Sequence, residues 1–302
     1  MASDDVAIRR AGQRRPAVSR AWSGARARRV IGRAVVYAIL IGLSLLFLVP
    51  LAWMISTSLK PNDEVTIFPV RWIPNRIRWE NYAEAWGLFP FTRFVVNSLY
   101  LVVLSTAGTL ISCSLVAYGF ARIRFRGRDF FFFVMLMTMM LPSAVTMIPV
   151  YVLFARLHWV DSFRPLIVPS FFGSAFNIFF LRQFMMTLPR DLDEAARIDG
   201  AGHLTTFLRV ILPLVRPAVV AVAVLHVFAT WNDFFGPLLY LNTPENFTFV
   251  LGLRALQTDV VYGGRYEWLM ALSLVQLAPM LVLYFLAQRY FVEGLSLTGV
   301  RG

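Results

Sequence analysis

Charged residues interrupt this chain rarely, and the intervals between them predict its architecture. Uninterrupted apolar stretches run from Arg33 to Lys60, Arg93 to Arg122, Asp129 to Arg156, Arg164 to Arg182 and Glu267 to Arg289. A sixth, from Arg216 towards Leu241, holds one internal charge, Asp233. A helix needs about 20 apolar residues to cross the hydrocarbon core. The pattern therefore predicts an all-α polytopic membrane protein with six transmembrane helices, at 34–57, 94–121, 130–154, 165–181, 218–241 and 267–288. A tail at 1–33, a segment at 58–93, a polar connection at 182–217 and a tail at 289–302 complete the division. Pro142 and Pro149 mark kinks in the third span. The first apolar run is too long for a signal peptide and has no small-residue cleavage site. Arg9-Arg10 and Arg14-Arg15 lack the continuation that a twin-arginine signal requires.

Composition agrees: 58% of the 302 residues are hydrophobic and 15% charged, against about a quarter charged in soluble domains. The net charge of +12 is the anomaly. Nucleic-acid binding does not explain it, because the basic residues form short clusters between apolar segments with no polar domain to read a groove. Topology does. The amino-terminal tail, the second-to-third and fourth-to-fifth connections and the carboxyl tail hold twenty of the 29 basic residues, and the alternate connections hold nine. Cytoplasmic segments retain basic residues, so both termini are expected in the cytoplasm. The 58–93 segment then lies outside, where Trp72, Trp79, Tyr82 and Trp86 suit an interfacial aromatic belt.

Lys60 is the single lysine and precedes proline, which excludes a P-loop. Any ATPase must be another chain. Cys113, the one cysteine, excludes an intrachain disulfide or a cysteine-based metal site and reads as a buried packing residue. His-Glu-x-x-His is absent, and Gly42-Leu-Ser44 with His226 is the only, chance-level hint of an intramembrane serine protease.

Polar residues are organised in one place, from Leu188 to Pro213. Pro189 suits the first turn of a helix, and Asp191, Asp193 and Glu194 complement its positive end. Gly200 and Gly202 end that helix. A second helix carries Phe207, Leu208, Ile211 and Leu212 at helical spacing, until Pro213 and Pro217 stop it. By composition alone this is either a helix-turn-helix or a generic polar loop.

The residues Glu194, Ala195 and Ala196, then Asp199-Gly200, Val210, Leu212 and Pro213 resemble the EAA loop of ABC importer permeases, Glu-Ala-Ala-x3-Gly-x9-Ile-x-Leu-Pro. Val210 stands where isoleucine is usual, keeping the β-branched bulk. Pro50 to Lys60, Trp231 to Leu238 and Gln288 to Gly302 resemble the carbohydrate-uptake permeases, most of all the second permease subunit of maltose-type importers. The resemblance covers residue 34 to the end. It implies a bacterial plasma-membrane permease, the 94–288 region being the importer's transmembrane domain. A second permease, two ATPase subunits that use ATP and magnesium, and an external solute-binding protein are the implied partners, with no cofactor or metal on this chain. The implied cargo is a sugar or sugar-like solute, with polyols, glycerol phosphate and polyamines as alternatives. Glu194 to Gly200 would seat on the ATPase, and the tail from Gly294 to Gly302 either reaches towards it or frays.

The solute path is less defined. Asp233 would cost about 2.5–3.5 kcal/mol at a helix centre, so it faces protein or water, or it sits in the polar interface. Asn232 and His226 are near it in sequence. Asn97, Asn177 and Gln276 are further candidates, as sugar contacts or as interhelical hydrogen-bonding groups.

Overall fold

The computed structural model describes the backbone of residues 18–299 and the side chains of residues 31–288. Among them there is no strand, and Trp53 closes the first of two compact units. α1 spans Val18–Ser58, so helix begins well inside the expected amino-terminal tail. Arg9, Arg10, Arg14 and Arg15 lie outside the described residues. Apolar side chains such as Leu46 (63% exposed) and Phe47 (78%) cover no protein core. A helix satisfies its backbone internally, so a surface of this kind can stand in lipid.

The second unit contains α2 (Asn62–Val65), α3 (Glu80–Leu88) and α4 (Phe91–Arg122), then α5 (Arg128–Met137) and α6 (Ser143–Arg156). α7 (Arg164–Ile167) and α8 (Ala175–Met186) follow, then α9 (Asp191–Ile198), α10 (His203–Thr206), α11 (Leu212–Leu214) and α12 (Arg216–Trp231). α13 (Phe235–Tyr240), α14 (Phe249–Thr258) and α15 (Tyr266–Gly299) close the chain. α4 is the central element and packs against α8, α12 and α14. Around its end, Cys113, Ala117, Tyr118 and Ala121 join Leu181, Ile211 and Val222 in one core. Around its start, Phe91 and Phe94 join Phe249, Leu256 and Leu272 in another. Cys113 is free and fully buried, as its surroundings in sequence predicted.

Four stretches among the described residues are long and apolar enough to cross a membrane: Ile31–Ser58, Phe91–Arg122, Arg164–Met186 and Tyr266–Gln288. Two bent pairs bring the number to as many as six. The expected third helix is one of them. The kink expected at Pro142 is a turn of 98° between Met140 and Ser143, where Leu141 and Pro142 adopt extended backbone. Proline forces its predecessor out of the helical region. The expected helix at 218–241 also differs, because α12 ends at Trp231. There Asn232 Nδ2 folds back to donate to the Phe228 carbonyl (2.8 Å), and Asp233 accepts the Gly236 amide (3.2 Å), opening α13 as a separate turn. The fourth span is interrupted at Gly173, whose φ is +87°. α4 satisfies the freed backbone: Ser112 Oγ donates to the Ser170 carbonyl (3.0 Å) and Cys113 Sγ accepts the Ser174 amide (3.3 Å). Irregular backbone at membrane depth is tolerated only when it is enclosed in this way. At the far end α15 continues as helix to Gly299, so most of the expected tail prolongs the last span. Residues 300–302 lie outside the described residues.

The 58–93 segment is more than an aromatic belt. Trp79 is 67% exposed, but the polar residues fold inward. Lys60 Nζ donates to the Arg71 carbonyl (2.6 Å), and Asn81 Nδ2 donates to the carbonyls of Ser58 (2.9 Å) and Lys60 (2.8 Å). Glu64 accepts the Asn75 amide (3.0 Å). Asn62 Nδ2 donates to Glu267 Oε1 (3.1 Å), and Arg265 forms an ion pair with Glu267, the second residue of α15. Lys60, Asn81 and Glu267 are fully buried, and burial pushes the Lys60 ammonium below its usual range, partly offset by Glu64.

Candidate functional site

The polar connection is a helix-turn-helix whose geometry explains its spacing. α9 opens at Asp191, two residues after Pro189, so that proline precedes the helix rather than occupying its first turn. Asp191, Asp193 and Glu194 fill the first turn, where the helix dipole favours acids. Gly200 has φ +78°. Its amide donates to the Arg197 carbonyl (3.0 Å), and the Ala201 amide reaches back to the Ala196 carbonyl (2.8 Å). Those two bonds with a left-handed residue between them are a Schellman cap. The run from Ala196 to Gly200 is thus the length that lets a helix close on itself. No atom lies within 4 Å of where a Gly200 Cβ would stand, so backbone conformation and not crowding calls for glycine.

The second helix is longer than predicted. It runs from α10 through a π-helical turn, Phe207–Ile211, into α11, and Pro213 lies inside this run. Proline has no amide hydrogen for the Arg209 carbonyl, and a widened turn accommodates that loss. Pro217 lies in the first turn of α12, which leaves at 78°. Phe207 (3% exposed), Ile211 and Val215 (both 0%) anchor this helix, with the Phe207 ring 5.1 Å from that of Tyr118.

Of the motif residues, Ala196 is buried, Val210 and Leu212 are half-buried, and Glu194, Ala195, Asp199, Gly200 and Pro213 are exposed. Ile198 (87% exposed), Leu204 (62%) and Leu208 (50%) add apolar surface around the turn. The face therefore offers acids, a bare backbone and large apolar side chains to something outside the chain.

Sequence reasoning missed what holds this hairpin. Arg122, the last residue of α4, is 7% exposed. Its Nη1 donates to Asp193 Oδ2 (2.8 Å) and to the Pro189 carbonyl (3.3 Å). Its Nη2 donates to the carbonyls of Met185 (2.7 Å) and Leu188 (3.0 Å). One guanidinium thus caps the end of α8 and pins the start of α9 to the central helix. The only sequence signal was an arginine at the end of a long apolar run, which also reads as topology.

Among the candidate path residues, Asn97, His226, Asn232, Asp233 and Gln276 are each hydrogen-bonded within the chain. Asn97 Nδ2 donates to the carbonyls of Glu245 and Phe247 (both 2.9 Å). His226 Nε2 lies 3.3 Å from Ser105 Oγ and 3.4 Å from Thr109 Oγ1, joining α12 to α4. Asn232 and Asp233 shape the end of α12, and the backbone carbonyl of Gln276 accepts from Trp231 Nε1 (3.0 Å). The Asn177 and Gln276 side chains are half-buried. A cavity of about 650 Å³ opens elsewhere, between α13, α14 and α15, lined by Phe234, Leu253, Arg254, Gln257 and Leu269. There Arg254 Nη1 donates to Gln257 Oε1 (3.0 Å). Nothing in the sequence singled these residues out.

Residues 111–296 match the family described as binding-protein-dependent transport system inner membrane component. The chain is 35% identical, over 86% of its length and 92% of the relative's, to the arabinooligosaccharides transport system permease protein AraQ of Bacillus subtilis. It is 31% identical to the diacetylchitobiose uptake system permease protein NgcG of Streptomyces coelicolor, covering 87% of each chain. It is 34% identical to the sn-glycerol-3-phosphate transport system permease protein UgpE of Pectobacterium atrosepticum, covering 78% and 85%. Among solved structures it is similar to a chain of a bacterial ABC transporter involved in the import of the acidic polysaccharide alginate. That match has a TM-score of 0.79 at 25% identity and covers 88% of this chain and 98% of that one.

Proposed function

The chain belongs to the binding-protein-dependent transport system inner membrane components, and from that premise we propose that it is one of two permease subunits of an ATP-driven importer of sugars or sugar-like solutes. An external binding protein delivers the solute. Two ATPase subunits, which hold the ATP and magnesium, dock on the turn around Gly200. This chain performs no hydrolysis. The arginine distribution supports placing both termini and the hairpin in the cytoplasm.

The observation that carries this reading is the hairpin itself: a helix closed by a Schellman cap, exposed at Glu194 to Gly200, and clamped to the central helix by Arg122. Coupling two sites requires an element that moves as a body between states. A rigid hairpin pinned to α4 and α8 passes a displacement of its tip to both helices, which a loop would absorb. The cavity between α13 and α15 supports a hydroxyl-rich or acidic cargo, since a guanidinium, an amide and an aromatic wall are the groups such solutes engage.

Gly200→Val tests the coupling. A β-branched residue at positive φ costs on the order of 1–2 kcal/mol, and it meets no atom of this chain. Uptake of a labelled sugar should collapse while the ATPase subunits still copurify. Uptake at the wild-type rate would overturn the reading.

A further inference from the structure

We propose that the turn between α4 and α5, with the residue that leads into α9, binds the phosphate of an anionic phospholipid headgroup. An open cleft of about 460 Å³ lies there, lined by Arg124, Phe125, Arg128, Asp129, Phe130 and Arg190. Arg128 Nε is neutralised by Asp129 Oδ1 at 2.9 Å. Arg124 and Arg190 are exposed, and neither makes a side-chain hydrogen bond or ion pair with any described residue. Both also line a neighbouring polar cleft of about 260 Å³, whose Asp193 is engaged by Arg122 and whose Glu194 is exposed on the helix that leads to the Gly200 turn. Two unpaired guanidiniums thus line the larger cleft, where the one acid, Asp129, is already paired with Arg128. Planar, forked N–H donors of this kind match the oxygens of a phosphate.

Depth argues for a lipid. α4 ends at Arg122 and α5 begins at Arg128, and α5 immediately presents Phe130 (65% exposed), Phe131 (55%) and Phe133 (60%). The cleft therefore sits where an apolar helix surface gives way to charge, which is the headgroup level of a bilayer. Acyl chains lie along the phenylalanines while the phosphate meets Arg124 and Arg190. Basic pockets at such boundaries hold anionic lipid. The site requires that the chain spans a membrane, and it does not depend on which cargo is carried.

The test is retention of phosphatidylglycerol and phosphatidylcholine by the intact transporter, purified in mild detergent and measured by native mass spectrometry. Arg124→Gln with Arg190→Gln should lower phosphatidylglycerol retention about tenfold or more. Arg126→Gln, in the same turn but lining neither cleft, should leave it unchanged, and the double lysine variant should keep much of it. Equal retention of the two lipids, or undiminished phosphatidylglycerol in the double glutamine variant, overturns the proposal. So does displacement of the lipid by inorganic phosphate, which would make free phosphate the ligand. Loss of the ATPase subunits with lipid unchanged would overturn it too, by assigning the arginines to a protein partner. If the double variant does not assemble, each single variant should show a smaller, several-fold loss, and its absence from both sinks the idea.

Discussion

Near the start of α4, Lys60, Asn81 and Glu267 are fully buried, the first two bonded to backbone carbonyls and Glu267 to Asn62 and Arg265, whereas near its end Glu194, Arg197 and Asp199 stand exposed around the turn at Gly200. Both regions are polar segments attached to the same helix. In the first, the buried charged groups are answered within the chain, so the heart of the segment is a fixed part of the fold. In the second, one buried arginine does the fixing from beneath and the remaining polar and apolar groups are left exposed. The two regions differ less in charge content than in whether their polar groups are enclosed by the chain.

The comparison can be broken most severely at Glu267. Glu267→Ala leaves Arg265 and Asn62 without their acceptor and should cost on the order of 3 kcal/mol, read as a fall in the thermal unfolding midpoint of the purified complex. A change indistinguishable from that of an exposed-residue control would mean that this end is not fixed by its polar contacts.

Arg122→Ala comes next. It removes one ion pair and three carbonyl contacts, and charged hydrogen bonds contribute about 1.5–3 kcal/mol each before the freed groups find water. The stability loss should be smaller than for Glu267, because Asp193 retains solvent access, but uptake should fall furthest. Limited proteolysis should newly cut between Met186 and Asp191. An intact loop with impaired uptake would separate clamping from coupling.

The smallest effect concerns Asp161, a third kind of polar anchor. Its carboxylate accepts the Thr243 hydroxyl and the amides of Thr243 and Asn242 (both 2.9 Å), and these bonds hold its pKa down to about 2. A carboxylate lowered in the folded state adds stability that is complete above its ordinary value of about 4 and is lost as pH falls through its folded value. Asp161→Asn should therefore lower the unfolding midpoint at neutral pH, with the difference shrinking between about pH 4 and pH 2. A pH-independent difference would contradict this anchor.

The parts of the molecule written in contiguous residues were legible in advance. Apolar run length located the four stretches long enough to cross a membrane, and the acids, Gly200 and the hydrophobic spacing located the two helices of the hairpin. What escaped depends on residues distant in sequence. The Arg122–Asp193 pair bridges 71 positions and the Asn62–Glu267 bond 205. Neither has a local pattern, so an arginine serving as a clamp and one serving as topology look the same. The interruption at Gly173 escaped for the same reason, since it is permitted only by Ser112 and Cys113 on another helix. The bend at Pro142 was legible but its angle was not, because proline dictates where a helix breaks and neighbours decide by how much.

The burial of Lys60 has a practical consequence. As the chain's single lysine, it is the only side-chain amine for acylating reagents to find, and it is enclosed with its nitrogen on the Arg71 carbonyl. Surface labelling with activated esters should pass over every described side chain of the folded protein. The rate at which Lys60 acquires such a label would then be a clock for the opening of its enclosure, read from one peptide without introducing any probe.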